Sequence, residues 1–140
     1  MTEQKFFVFS LSEEDEAFDH KDMGKAVRWL RDKQDEPNPV CYFRKKSPRD
    51  ALSGSIMLFS FGTKIFGQAT LKGTKEEIPL KDKRRSVYKY FVRLDPATIE
   101  IFSRYPTKKE LTKKMGMNFS QVFTYFNYKQ YQKILRLSRL

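Results

Sequence analysis

The sequence predicts an α+β fold built on a small, curved, mostly antiparallel β-barrel with flanking helices. Two stretches and one contrast lead to it. Ser53 to Leu71 (SGSIMLFSFGTKIFGQATL) has the pattern of a β-hairpin. Its first arm, Ile56 to Phe61, is an apolar run broken only by Ser60. Gly62-Thr63 follows with the glycine-first chemistry of a tight II′ turn. Lys64 to Leu71 then alternates, with Ile65, Gly67, Ala69 and Leu71 on one face and Phe66, Gln68 and Thr70 on the other. The second stretch, Lys5 to Leu11 (KFFVFSL), is apolar on both faces, the mark of a strand covered on both sides. Helical spacing, by contrast, is confined to one segment before the hairpin and two at the end of the chain.

Taken in order, Ser12 to Asp22 is an acidic, polar connection, and Asp22 is placed to cap a helix. Met23, Ala26, Val27 and Leu30 recur at helical spacing, giving an amphipathic helix from Met23 to about Gln34, with Trp29 at the edge of its apolar stripe. Asp35 to Pro39 (DEPNP) ends it, and Val40 to Phe43 is a short strand. The basic loop Arg44 to Asp50 leads into the hairpin. Gly67, without a side chain in mid-strand, implies a bend or a close approach by another backbone. Lys72 to Arg85 reads as a polar, mobile loop, Val87 to Leu94 as a third long strand, and Thr98 to Phe102 as a short one. Thr107 and Glu110 have capping-box spacing for a helix closed by Gly116, and Asn127 with Gln130 repeats the pattern. Asn118 to Phe126 fits strand and loop equally. In the last helix Tyr128, Tyr131, Ile134 and Leu135 form the expected buried stripe, with Phe126 and Tyr131 as a staple. The order implies one domain, residues 1–140, whose sheet curls round its own core.

Charge narrows the function. The chain has 28 Lys+Arg against 17 Asp+Glu, a formal +11. Residues 1–22 hold seven carboxylates and two lysines, a net of −5, so the remaining 118 residues carry +16. An excess of that size suits a polyanion, and nucleic acid is the expected partner. No apolar run approaches the ~20 residues that span a bilayer, so no membrane partner is expected. The first residues have no basic region ahead of an apolar one and no small-residue cleavage site, so they do not read as a secretion signal, and cytoplasmic location is expected. One cysteine, Cys41, and one histidine, His20, exclude an internal disulfide framework and a Cys/His zinc cluster. Cofactors and catalytic residues are expected to be absent. His20 sits in the acidic segment with no nucleophile spaced to use it, Cys41 lies in an apolar strand, and Glu13 to Glu16 reads as a solvated face.

A binding surface is easier to assemble. Arg44, Lys45, Lys46 and Arg49 in one loop, and Lys83, Arg84 and Arg85 in another, are candidate phosphate contacts, joined by the basic last helix (Lys129, Lys133, Arg136, Arg139). Aromatic groups at strand ends can hold an unstacked base, and the candidates are Trp29, Phe59, Phe61 and Tyr125. Each of these rings is also a natural core residue. Trp29 stands apart because it lies off the buried stripe of its helix. A cleft between that helix and the hairpin would be lined by Trp29, Phe59 and Phe61, with the hydroxyls of Ser10 and Ser12 reading the edge of the base.

These stretches resemble the PUA-like superfamily, which holds the EVE, YTH, SRA and ASCH domains. The resemblance rests on FFVFSL, on a helix carrying Trp29, and on SGSIMLFSFGTKIFGQATL, similar to the family's small residue and glycine, apolar strand, turn and I-x-G-x-A strand. It extends through YKYFVRLDP to FSQVFTYFNYKQYQKIL. It implies a five- or six-stranded barrel with a cleft for a nucleotide, and recognition of a modified or flipped base in DNA or RNA. It also implies a reader module of a modification-dependent restriction system, beside a nuclease domain or another protein partner. A small ASCH-like amidohydrolase acting on a modified nucleoside, with Lys64 and a carboxylate in its cleft, is the alternative. The ASCH pattern G-x-K-x-x-E-x-R is not reproduced: Gly67 stands where Glu is expected after Gly62-Thr63-Lys64. A third reading is a protein-binding adaptor that uses its acidic segment.

Overall fold

The computed structural model of the chain describes residues 4–11, 22–43, 53–119 and 123–139. Along them run β1 (Phe6–Leu11), α1 (Met23–Lys33), β2 (Val40–Phe43), β3 (Ile56–Phe61), β4 (Lys64–Thr70) and β5 (Glu76–Glu77). A 3₁₀ turn at Lys83–Ser86, β6 (Tyr90–Arg93), a second 3₁₀ turn at Pro96–Thr98 and β7 (Glu100–Ile101) come next. The last elements are α2 (Lys108–Met115), β8 (Phe123–Phe126) and α3 (Tyr128–Ser138).

β1 and β3, the two strands apolar on both faces, lie side by side in parallel, Phe6 against Ile56 through Leu11 against Phe61. β4 folds back on β3, β7 adds outside β4, and β8 pairs antiparallel with β1, giving the order β7-β4-β3-β1-β8. A second sheet, β2-β6-β5, meets the first where Leu71 bridges Leu94. The expected α+β class holds, but the barrel is not closed by a ladder. Among the described residues no strand pairing joins β8 to β2; three rings fill that seam. Phe9, Phe43 and Phe123 pack within 5.1–5.5 Å of one another.

Each face of the β1–β3 pair has its own cover. Phe7, Phe9, Leu11, Met57, Phe59 and Phe61 turn toward the small sheet and α1, where Cys41, Phe43, Val92 and Leu94 complete one core. Phe6, Val8 and Leu58 turn the other way, under Leu111, Tyr131 and Ile134 of α2 and α3. Asp22 caps α1 by accepting from the Gly24 amide at 2.8 Å. Asn127 and Gln130 form the reciprocal box at the start of α3, and Gly116 closes α2 at φ 66°.

The hairpin turn is of the expected kind. Gly62 has φ 62° and Thr63 a negative φ, the II′ signature. The expected alternation of its second arm is broken, however. Register runs from Phe59–Gly67 to Ser60–Ile65, so Phe66 is a bulged residue. The bulge puts Phe66 into the core under α1 while Ile65 enters the core under α2 and α3. Other expectations are corrected too. Lys72 to Arg85, expected as a polar, mobile loop, contains β5 and the start of a 3₁₀ turn capped by Asp82. The strand expected at Val87 to Leu94 is confined to Tyr90–Arg93 plus the Leu94 bridge, and Tyr128 is 57% exposed rather than buried in the α3 stripe.

Gly67 marks the close approach that its position implied. A Cβ there would lie 2.5 Å from Leu30 Cδ2 and 2.7 Å from the Glu100 carbonyl oxygen. The glycine lets α1 and β7 reach β4 at one point, and neither the helix nor a ladder backbone can retreat freely. Gly67→Ala should therefore destabilise the fold by about 1–3 kcal/mol through overpacking. Urea denaturation checks this, and an unchanged midpoint would refute the contact.

Candidate nucleic-acid interface

The parity of β1 and β3 decides which predicted residues can meet. Trp29 projects from α1 onto the face that carries Phe59, edge-on to its ring at 5.7 Å between centroids. It is half-buried, and the Lys33 ammonium stands 4.9 Å from its ring centre. Phe59 has no exposure and Phe61 only 8%, so both lie in the floor beneath Trp29 and neither offers an open ring face. Ser10 is on the other side of the sheet. Its Oγ accepts from Ser60 Oγ at 3.0 Å and from Lys108 Nζ at 2.9 Å. The expected grouping of Ser10 with Trp29 is therefore corrected: a strand points alternate residues to opposite faces, and Ser10 is one residue out of phase with Phe9 and Leu11.

Tyr125 shares the Trp29 side of the sheet and is 42% exposed, opposite Phe7 on the edge strand β8. Two strand spacings and two residues separate it from Phe59, roughly 12 Å in the sheet. Phe9 and Phe123 fill the interval. Ser12 and the basic group Arg44, Lys45, Lys46 and Arg49 lie outside the described residues, as do His20 and Glu13 to Glu16.

The three cations of the second loop have different surroundings. Lys83 is exposed. Arg84 lies over the Tyr42 ring at 5.5 Å and 3.6 Å from Asp82. Arg85 donates to the Glu77 carboxylate at 2.9 Å and to the Ile78 carbonyl at 2.6 Å, so its guanidinium ties the loop to β5. Of the last helix, Lys133 and Arg136 line a groove of about 380 Å³ with Lys114, Met115 and Leu137. Arg139 instead grips Glu100 with two hydrogen bonds of 3.0 and 2.7 Å. That contact holds the Glu100 carboxyl below its ordinary value and orders a chain in which Gln68 donates to Glu100 and the Tyr131 hydroxyl donates to Gln68.

One polar site escaped the sequence reading. Lys108 is 98 residues from Ser10, yet their side chains meet under the hairpin turn, where the Lys108 amide also donates to the Thr63 carbonyl. Its ammonium lies 5.7 Å from the Phe119 ring centre, and desolvation by burial lowers its pKa. Lys108 and Lys109 both stand in the first turn of α2, against the helix dipole, and nothing local marks out the one that is held.

The chain has the PUA-like fold. ZmASCH from Zymomonas mobilis, solved as a mutant protein, matches with a TM-score of 0.58 and 16% identity, covering 96% of this chain and 97% of that one. The YTH domain of the Zygosaccharomyces rouxii MRB1 protein, solved in complex with N6-methyladenosine RNA, matches with a TM-score of 0.56 and 15% identity, covering 97% and 87%. Rpa0253 from Rhodopseudomonas palustris matches with a TM-score of 0.59 and 7% identity over 96% and 92%. No protein-family model and no curated protein matches the sequence. At such identities the likeness establishes the architecture, and function rests on the site.

The Lys108 site has a pH signature. Burial makes the native state hold the Lys108 proton less tightly than the unfolded chain does. Between the lowered value and the ordinary 10.5 the unfolded state binds more protons, so this group adds stability as pH rises through that window. Lys108→Met removes that contribution. Its melting temperature relative to wild type should fall as pH is raised from neutral toward 10.5. A difference that does not change with pH would show that the ammonium is not desolvated.

Proposed function

We propose that this chain is a non-catalytic nucleic-acid-binding domain of 140 residues that holds a modified or flipped base of DNA or RNA beside Trp29. It acts in the cytoplasm, as a reader beside a nuclease domain or a protein partner of a restriction or RNA-processing system. The observation that carries the reading is the setting of Trp29, a half-buried indole on α1 propped edge-on by Phe59, with a cation against its face. A base stacking on the indole takes the place of the Lys33 ammonium, and the freed lysine reaches a phosphate. The formal charge of +11 supplies the sequence-independent part of the affinity. A YTH domain of the same fold, solved with N6-methyladenosine RNA, supports the choice of ligand class.

A second reading, hydrolysis of an acylated nucleoside, draws on the contact between Lys108 and Ser10. An amine of lowered pKa beside a hydroxyl has the reach of a general base. Lys64, the lysine expected in such a cleft, is exposed beside the hairpin turn. Turnover of acylated nucleosides that disappears in Lys108→Met would decide for this reading.

The binding reading is tested with single- and double-stranded oligonucleotides, with and without methylated adenine and cytosine, at several salt concentrations. Affinity should fall steeply with salt. Trp29→Ala should cost ~1–3 kcal/mol, roughly ten-fold or more in affinity, and reduce discrimination between modified and unmodified bases while the fold still melts cooperatively. Absence of binding to every oligonucleotide at low salt would refute the reading.

A further inference from the structure

The outer face of the small sheet carries an arrangement that the Trp29 site does not use. On β2 and β6, Cys41, Phe43, Val92 and Leu94 enter the core, so Tyr42 and Phe91, paired across the ladder, face outward. Their ring centroids are 6.3 Å apart, and Tyr88 stacks on Tyr42 at 5.3 Å with planes 30° apart. All three are half-buried, with part of each ring left to solvent. One guanidinium stands over the middle ring and another over one end: Arg84 lies 5.5 Å from the Tyr42 ring centre, and Arg93 lies 5.3 Å from that of Phe91. Arg93 uses Nε toward Glu76 at 2.9 Å, which fixes the group by one edge. Residues 72–93 hold eight lysines and arginines against three carboxylates, a net of +5.

We infer that this face is a second contact surface for nucleic acid, a stacking platform for a single strand that continues beyond the base held at Trp29. The inference rests on the reading above. Three points favour this occupant. The rings form one row on the outer side of the small sheet, beside which successive unstacked bases can be laid without regard to sequence. The arginines sit at ring faces, where they both support the stack and direct remaining donors toward a backbone. The local charge is positive although three carboxylates share the segment, which suits a polyphosphate and disfavours a basic partner.

The experiment compares oligonucleotides of roughly 4 and 16 nucleotides, the range of lengths that single-strand sites accommodate. Each carries the base preferred at Trp29, and the full chain is used throughout. Wild type should bind the longer strand more tightly. The double variant Tyr42→Leu/Phe91→Leu keeps apolar bulk but removes the ring faces. It should lose roughly ten-fold on the long strand and nothing on the short one, whereas Trp29→Ala loses affinity for both. Photo-crosslinking of a halogenated-pyrimidine 16-mer to wild type gives a measurement that does not depend on a variant folding. Adducts should map to Tyr42, Tyr88 or Phe91. If the long strand binds no better than the short one, or if adducts avoid all three rings, the platform is refuted while the Trp29 reading stands. If wild type binds neither strand, both fall.

Discussion

The parallel pairing of Phe6–Leu11 with Ile56–Phe61 is the constraint on which the other elements depend. Side chains on both faces of this pair are large and apolar, so the pair is stable only when both faces are covered. A parallel connection also requires a long crossover, and the chain between the two strands includes α1 and β2, which cover one face. The residues after β7 supply α2 and α3 for the other. β4 is then the strand where the layers meet. Its Phe66 bulge sends neighbouring side chains into different cores, and its Gly67 admits α1. Its extension at Leu71 hands the sheet over to Leu94 of the small sheet.

Local chemistry was legible where a residue type has one structural use. Asp22, Thr107, Asn127 and Gly116 cap the helices they flank, Gly62 makes the turn, and Gly67 lies at a close backbone approach. What could not be read is what depends on partners distant in the chain. The sheet was expected to be mostly antiparallel, and the parallel pairing of the first strand with the hairpin went unread, because a strand's apolarity says that it is covered but not which neighbour pairs with it. The bulge leaves no trace either: Ile65-Phe66 is as apolar in one register as in the other. Tyr128 fitted the helical stripe by spacing, yet its ring lies 5.9 Å from that of Phe6 at the rim of this core and stays 57% exposed, while Tyr131 and Ile134 are buried in it.

The same distinction applies to the site. Trp29 was singled out because it lay off the stripe of its helix, and it is half-buried against Phe59. Ser10 was placed beside it by nearness to the strand end, and strand parity overrules nearness. Arg85 looked equivalent to Arg84 in the sequence, but a carboxylate and a carbonyl within reach of its guanidinium make it part of the loop's structure. Lys108 is the converse. Nothing near it in sequence announced Ser10, and its neighbour Lys109, in the same helical turn, is exposed.

The face on which each polar group lies also separates the two functional readings. A ligand stacked on Trp29 lies on the α1 side of the sheet, whereas the Lys108–Ser10–Ser60 contact lies on the α2 side. The β1 and β3 backbones and their side chains stand between. A base at Trp29 therefore cannot be processed by Lys108, and a nucleoside at Lys108 cannot be held by the indole. Ser60 is fully buried and Ser10 already accepts from both partners, so this polar group is satisfied within the fold. Satisfied buried polar groups fix the position of the elements that carry them, here the start of α2 against the hairpin turn. Positioning the turn and the β3 end also positions Phe59, on which Trp29 rests. On the binding reading, then, Lys108 acts only through the sheet, on the floor beneath Trp29, and does not touch the ligand.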